Sequence, residues 1–242
     1  MSTNKGLQNE LSVLSGLTAA AFFLMGRRKW AAVAGSVSIG LRLLPSVPYF
    51  FRGKSVVITG GSRGLGFVLA RKLLAEGCRV TLIARDQLEL DKAWAKLTQN
   101  RGNQLFVVGA DITDMKSMER AVEDVLLKNG RVDLLINNAG SISAGPLGAM
   151  TRDDFEAQMG IHFYGAMNAI ESCLPVFRRQ KAGQIVNISS IGGKIPVPHL
   201  APYCASKYAL AGYSQTLTAE LMKENIKVLT VYPGLMRTGS AI

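Results

Sequence analysis

The sequence predicts a doubly wound α/β fold, a parallel sheet with helices covering both faces. Three observations predict it. From residue 53 onward, short runs dense in Val, Ile and Leu alternate with longer stretches of helical character. The short runs are apolar across both faces, as strands covered on both sides must be. A glycine-rich turn joins the first run directly to the first helical stretch, and such a sheet places its ligand crevice at the carboxyl ends of the strands.

The predicted strands are Ser55–Thr59 (S-V-V-I-T), Arg79–Ile83, Gln104–Gly109, Asp133–Asn137, Gly183–Ser189 and Lys227–Tyr232. Between them the periodicity predicts helices over Leu65–Glu76, Gln87–Arg101, Asp114–Asn129, Thr151–Gln180 and Tyr203–Glu224. That alternation is what a parallel sheet with crossover helices requires. At 242 residues the length suits one sizeable core, with no internal repeat and no low-complexity tract. Residues 53–242 form the predicted domain, and residues 1–52 stand before it as an apolar, basic extension.

Composition excludes several classes. A hydrophobic fraction of 48% against 19% charged residues rules out a disordered chain. The cysteines, Cys78, Cys173 and Cys204, are odd in number and lack metal-ligand spacing, which predicts free thiols in a reducing compartment. No metal site is expected. The net charge of +11 raises the question of nucleic acid, but no aromatic-basic RNA motif and no zinc spacing accompany it, so no nucleic-acid partner is expected.

Much of that charge lies in the leading extension, where Lys5, Arg27, Arg28, Lys29, Arg42 and Arg52 face Glu10 alone. Leu11 to Gly26 is an uncharged apolar run closed by Arg27-Arg28-Lys29. A second run, Trp30 to Phe51, is broken by Arg42, Pro45 and Pro48. The first is slightly short of the roughly 20 residues that span a bilayer, and the second reads as an interfacial docking segment. Residues 11–51 therefore predict membrane association, with the basic cluster and the domain on the cytoplasmic side. A cleaved signal peptide or a helix pair packed in a soluble cytoplasmic protein are the competing readings.

The first strand runs into Thr59-Gly60-Gly61-Ser62-Arg63-Gly64-Leu65-Gly66. Glycines permit a tight turn and let backbone N–H groups approach a pyrophosphate at the following helix N-terminus. The spacing T-G-x-x-x-G-x-G differs from the commoner G-x-G-x-x-G fingerprint. At this point the chain resembles the short-chain dehydrogenase/reductase family, so the doubly wound sheet is expected to be Rossmann-type. Gly60, Ser62, Arg63, Gly64, Leu65 and Gly66 are then expected to hold the phosphates. An acidic residue closing the second strand would bind an adenosine ribose and repel a 2′-phosphate. Here Ile83 is followed by Ala84 and Arg85, whose guanidinium suits a phosphate, and Arg63 is placed to join it. NADP(H) is therefore the expected cofactor; the opposing reading has Asp86 turning inward and Arg85 solvated. The resemblance further implies that Asp111 and Ile112 meet the adenine and that Asn138, Ala139 and Gly140 of N-N-A-G line the cleft. It likewise implies that Pro233, Gly234 and Thr238 hold the carboxamide.

Ser190 precedes Tyr203-Cys204-Ala205-Ser206-Lys207 by thirteen residues. Spacing i, i+4 on a helix puts Tyr203 and Lys207 on one face. A free tyrosine titrates near pH 10, too high for useful work near neutrality, and an adjacent ammonium would lower it. Together with Ser190 this matches the family's catalytic signature. The resemblance implies that Tyr203 exchanges the proton, Ser190 binds the carbonyl oxygen and Lys207 also binds the ribose. Ser189 is the rival serine. The expected substrate is a small-molecule carbonyl or alcohol, hydrophobic in character, handled by a homo-oligomer. A cofactor-binding but catalytically weak redox sensor or membrane scaffold is the alternative. Epimerase and dehydratase relatives carry T-G-x-x-G-x-x-G, which is absent.

Two departures stand out. His162, in Gly160-Ile161-His162-Phe163-Tyr164-Gly165, replaces an asparagine that many relatives use to hold a relay water. An imidazole can both donate and accept, so His162 is a fourth candidate catalytic residue, with a satisfied buried histidine as the competing reading. Relatives also continue into a substrate-covering helix pair and a seventh strand, so the sheet is expected to appear truncated after the sixth strand.

Overall fold

The computed structural model describes residues 50–98 and 104–236. All six predicted strands form, within one residue at every end: β1 Ser55–Thr59, β2 Arg79–Ala84, β3 Leu105–Gly109, β4 Leu134–Asn137, β5 Gly183–Ile188 and β6 Ile226–Val231. They make one sheet in the order β3-β2-β1-β4-β5-β6, and every neighbouring pair is parallel. The order reverses between β1 and β4, where the chain leaves one half of the sheet and begins the other. Crossover helices diverge there, and a crevice opens beyond the carboxyl ends of those two strands. This is the Rossmann-type sheet the sequence predicted.

Strand alternation supplies both faces. Val56 and Ile58 point one way, packing with Ala70, Leu74, Leu90, Ala93 and Leu97 of helices α1 (Gly64–Ala75) and α2 (Gln87–Leu97). Val57, between them, points the other way into a second layer. That layer is filled by Met118, Val122 and Val125 of α3 (Met115–Asn129) and by Ile170, Cys173 and Phe177 of α5 (Gly165–Gln180). All three cysteines are buried free thiols, as expected.

The helices match the periodicity with some corrections. The stretch predicted as one helix over Thr151–Gln180 is two. After α4 (Arg152–Met159) comes a π turn at Gly160–Tyr164, and α5 follows. The N–H of Gly165 bonds back to Gly160, one residue further than an α-helix allows. His162 lies within this turn and faces the interior, only 1% exposed. Helix α6 (Ala201–Leu221) begins two residues earlier than predicted, because Pro202 suits the first helical turn, where its missing N–H leaves nothing unpaired. The second helix ends at Leu97, with Thr98 as its C-cap, short of the predicted Arg101, which lies outside the described residues. So do Thr238 and almost all of the segment 11–51 read as membrane-associating. Among the described residues, no helix is long and apolar enough to cross a membrane and no acidic, histidine or cysteine cluster could hold a metal.

Candidate active site

The glycine turn comes first. Gly60 has φ +65° and lies so close to Ala139 that a Cβ would fall 2.6 Å from its Cα. A Cβ on Gly66 would sit 2.3 Å from the Gly60 carbonyl oxygen and 2.6 Å from Asn138 Nδ2. There is therefore no room for a side chain at Gly60 or Gly66. Asn138 clamps the turn, donating from Nδ2 to the carbonyls of Thr59 (3.1 Å) and Gly60 (2.9 Å). The hydroxyl of Thr59 in turn accepts the N–H groups of Asn138 and Ala139. No side chain caps the first turn of α1, and no acidic residue lies in it. Unpaired N–H groups and the positive end of the helix dipole there favour an anion. The residues present fit the diphosphate of a dinucleotide, with Gly60, Ser62, Arg63, Gly64, Leu65 and Gly66 gathered at that corner.

At the ends of β2 and β3, Arg85 is exposed and its Nη1 stands 3.9 Å from Asp111 Oδ2. Asp86 accepts the N–H of Glu89 at 3.1 Å and so caps α2. Its carboxylate is committed there. Asp111 accepts from both the N–H and the hydroxyl of Thr113. Ile112 is buried, its carbonyl bonded to Asn168 and its side chain seated where a Cβ on Gly165 would collide. On the far side, Pro233 accepts the N–H of Ile191 at 2.9 Å, and Gly234 follows it, exposed.

The structure brings Ser190, Tyr203, Lys207 and His162 together. Ser190 accepts the N–H of Gly192 at 3.1 Å, and its hydroxyl is near enough to the Tyr203 phenol to favour the phenolate. Gly192 supports that pair, since a Cβ there would lie 3.3 Å from the tyrosine ring. Ser189 points elsewhere, donating to the main-chain carbonyl of Lys207 at 3.1 Å. Its hydroxyl is spent on holding β5 against α6. Geometry thus separates two serines that adjacency in sequence leaves close.

Lys207 is buried, 5% exposed, and donates to the Ile188 carbonyl at 2.9 Å. Its Nζ lies 5.7 Å from the centre of the Tyr203 ring. Desolvation pushes its pKa down to about 7. The sequence reading expects the phenol to be pulled down by that ammonium. In the protein alone it is instead raised, because burial outweighs the opposing effect of Ser190. Phenol is accordingly the resting form of Tyr203.

His162 meets Tyr203 edge to face at 5.3 Å. Its Nε2 accepts the N–H of Ser141, and its Nδ1 lies 2.8 Å from Ser206 Oγ. Sequence reasoning missed the parts played by Ser141 and Ser206. Ser206 carried one signal, three residues after Tyr203 on the same helix face; Ser141 carried none.

A clamped glycine turn and a Ser–Tyr–Lys set at the switch point of one parallel sheet define a Rossmann-type dinucleotide-fold protein. The comparisons with known proteins narrow this. The sequence profile of the short chain dehydrogenase family matches residues 54–241. The chain is 37% identical to a fatty acyl-CoA reductase of Acinetobacter baylyi, over 77% of this chain and 64% of that one. It is 38% identical to a 3-ketodihydrosphingosine reductase of Bacteroides thetaiotaomicron, over 76% of this chain and 64% of that one. Among solved structures, an NAD+-bound xylitol dehydrogenase superposes with a TM-score of 0.75 at 29% identity, covering 79% of this chain and 74% of its own. ElxO with NADP bound superposes at 0.74 and 28% identity, covering 77% and 75%. The chain belongs to the short chain dehydrogenase family. It spans somewhat less than two thirds of the length of the two curated relatives.

Proposed function

We propose that the protein is an NADP(H)-dependent oxidoreductase that interconverts a hydrophobic ketone and its secondary alcohol. The observation that carries this is the convergence of Ser190, Tyr203 and Lys207. A Cβ on Gly140 would lie 3.8 Å from Lys207 Nζ, and Ala139 beside it packs on Gly60 of the glycine turn. When bound, the nicotinamide supplies or takes the hydride at the substrate carbon. Tyr203 holds the exchangeable proton at its phenol oxygen and gives it to the developing alkoxide. Its raised pKa keeps that proton in place near neutrality. Ser190, whose Oγ is fixed by Gly192, orients the carbonyl and stabilises charge on its oxygen. Lys207, its Nζ 5.7 Å from the centre of the phenol ring, supplies positive charge there when protonated and would hold the ribose of the bound nucleotide.

NADP(H) is favoured over NAD(H) because β2 ends without a free carboxylate. Asp86 is engaged in capping, and Arg85 stands exposed beside the adenine corner. A hydrophobic substrate is favoured by the cleft's surroundings. Ile142 and Leu147, after β4, and Ile191 and Ile195, after β5, are exposed apolar side chains on segments that leave the carboxyl end of the sheet. The two reductases cited above are named for lipid-like compounds, which agrees. We further read the apolar extension as seating a homo-oligomeric enzyme on the cytoplasmic face of a membrane.

The test is turnover of NADPH with a panel of ketones by the wild type and Tyr203→Phe. General acid catalysis contributes on the order of 10²- to 10⁴-fold, so the variant should lose at least about a hundredfold in kcat while still binding NADPH by fluorescence titration. Equal rates in the two proteins would sink the assignment. Tight NADPH binding with no turnover of any ketone would favour the sensor reading.

A further inference from the structure

His162 is held more closely than filling a core position requires. The Ser206 hydroxyl donates its only proton to the Tyr203 carbonyl at 2.8 Å. A hydroxyl that has given its proton away can only accept, so Nδ1 of His162 carries the hydrogen in the 2.8 Å contact. Nε2 must then be bare, and it is, because it accepts the Ser141 N–H at 3.2 Å. The tautomer is fixed from both ends. Gly140 closes the remaining side, since a Cβ there would fall 2.7 Å from Nε2. A relay must take a proton on one side and release one on the other. Here one side is a main-chain N–H, which is no acid near neutrality. On the other, the Nδ1 proton points at a hydroxyl whose own proton is held on a carbonyl.

We infer that His162 is a positioning residue. As a neutral Nδ1–H ring it ties the segment after β4, at Ser141, to the first turn of α6 at Tyr203. It thereby holds the phenol against Ser190 and above Lys207, and it carries no proton in the reaction. The positioning role rests on Tyr203 being the proton donor; the tautomer does not. Burial and the nearby Lys207 ammonium hold the ring's pKa at about 2, which agrees with an imidazole that never charges.

Two experiments test it. The chain has two histidines, so ¹⁵N-histidine NMR needs one assignment variant, His199→Gln. Expected is one ring with a protonated Nδ1 and a bare Nε2, unchanged from about pH 5 to about pH 9. Titration of that ring within the range, or the opposite tautomer, overturns the proposal. In the second, His162→Asn keeps a donor near Ser206 but leaves the Ser141 N–H without its acceptor. Loss of one buried hydrogen bond that aligns the phenol should lower kcat about tenfold with the ketone KM nearly unchanged. An unchanged kcat refutes the positioning role. Failure of the Tyr203 reading would show elsewhere, as an unimpaired Tyr203→Phe.

Discussion

At the scale of single residues, the most consequential group is a lysine that has lost its water. Between its folded pKa of about 7 and the ordinary value near 10.5, Lys207 is neutral in the folded protein and charged in the unfolded chain. The unfolded chain then binds more protons, so this residue adds stability as pH rises through that window. Below about pH 7 the ammonium is charged in both states, and its burial penalty is felt in full. Burial pushes the thiols of Cys78 and Cys173 up to about 11 and about 12, and these act in the opposite sense at alkaline pH. The lysine is isolated by difference. The thermal midpoint of Lys207→Met should lack the wild type's relative gain between about pH 7 and about pH 10, as read by circular dichroism. Parallel curves would mean that the side chain is not desolvated. Arg85 makes the second prediction at this scale. A charge-assisted bond is worth roughly 1.5–3 kcal/mol, so Arg85→Ala should weaken NADPH about tenfold or more and spare NADH. Equal losses for both nucleotides would refute the 2′-phosphate assignment.

Among elements, the turn between β1 and α1 has the least freedom. Gly66→Ala would drive a methyl into the Gly60 carbonyl, and overpacking of this kind costs about 1–3 kcal/mol. The variant should melt several degrees lower and bind NADPH at least about tenfold more weakly, measured by calorimetry and fluorescence. A variant with wild-type melting and affinity would show that the turn has room to relax. This element was legible in the sequence, because glycine spacing reports backbone demands directly. So were the strands, whose β-branched runs need no partner to declare themselves. The π turn was not. Nothing in the residue types of Gly160 to Tyr164 announces an extra residue in the turn. The Ser190 hydroxyl was legible from spacing, whereas the split of duties with Ser189 depends on α6 crossing β5. The upward shift of the Tyr203 pKa was not legible either, since burial is a property of the assembled fold.

For the whole molecule, the leading basic and apolar extension carries the remaining prediction. Full-length protein should sediment with membranes or with anionic vesicles, and a variant lacking residues 1–50 should remain in the supernatant. Full-length protein that stays dispersed without detergent would remove the membrane proposal and leave the redox one untouched. The strand order β3-β2-β1-β4-β5-β6 divides labour across the sheet. The half containing β2 and β3 presents Arg85 and Asp111, while the half containing β5 presents Ser190 and the approach to α6. Only at β1 and β4 do the halves share a border.

The five residues Asn137 to Ser141 form that border. Asn137 bonds to Asn187, Asn138 to the glycine turn, Gly140 packs on His162, and Ser141 donates to the same ring. Any shift of this short seam would disturb the nucleotide cradle and the tyrosine together. The neighbouring loops 142–150 and 194–200 are joined by a Gly145–His199 hydrogen bond of their main chains, a bond indifferent to side-chain identity. A protein built this way can revise what it admits by rewriting those loops, while the machinery beneath stays fixed in one inherited setting.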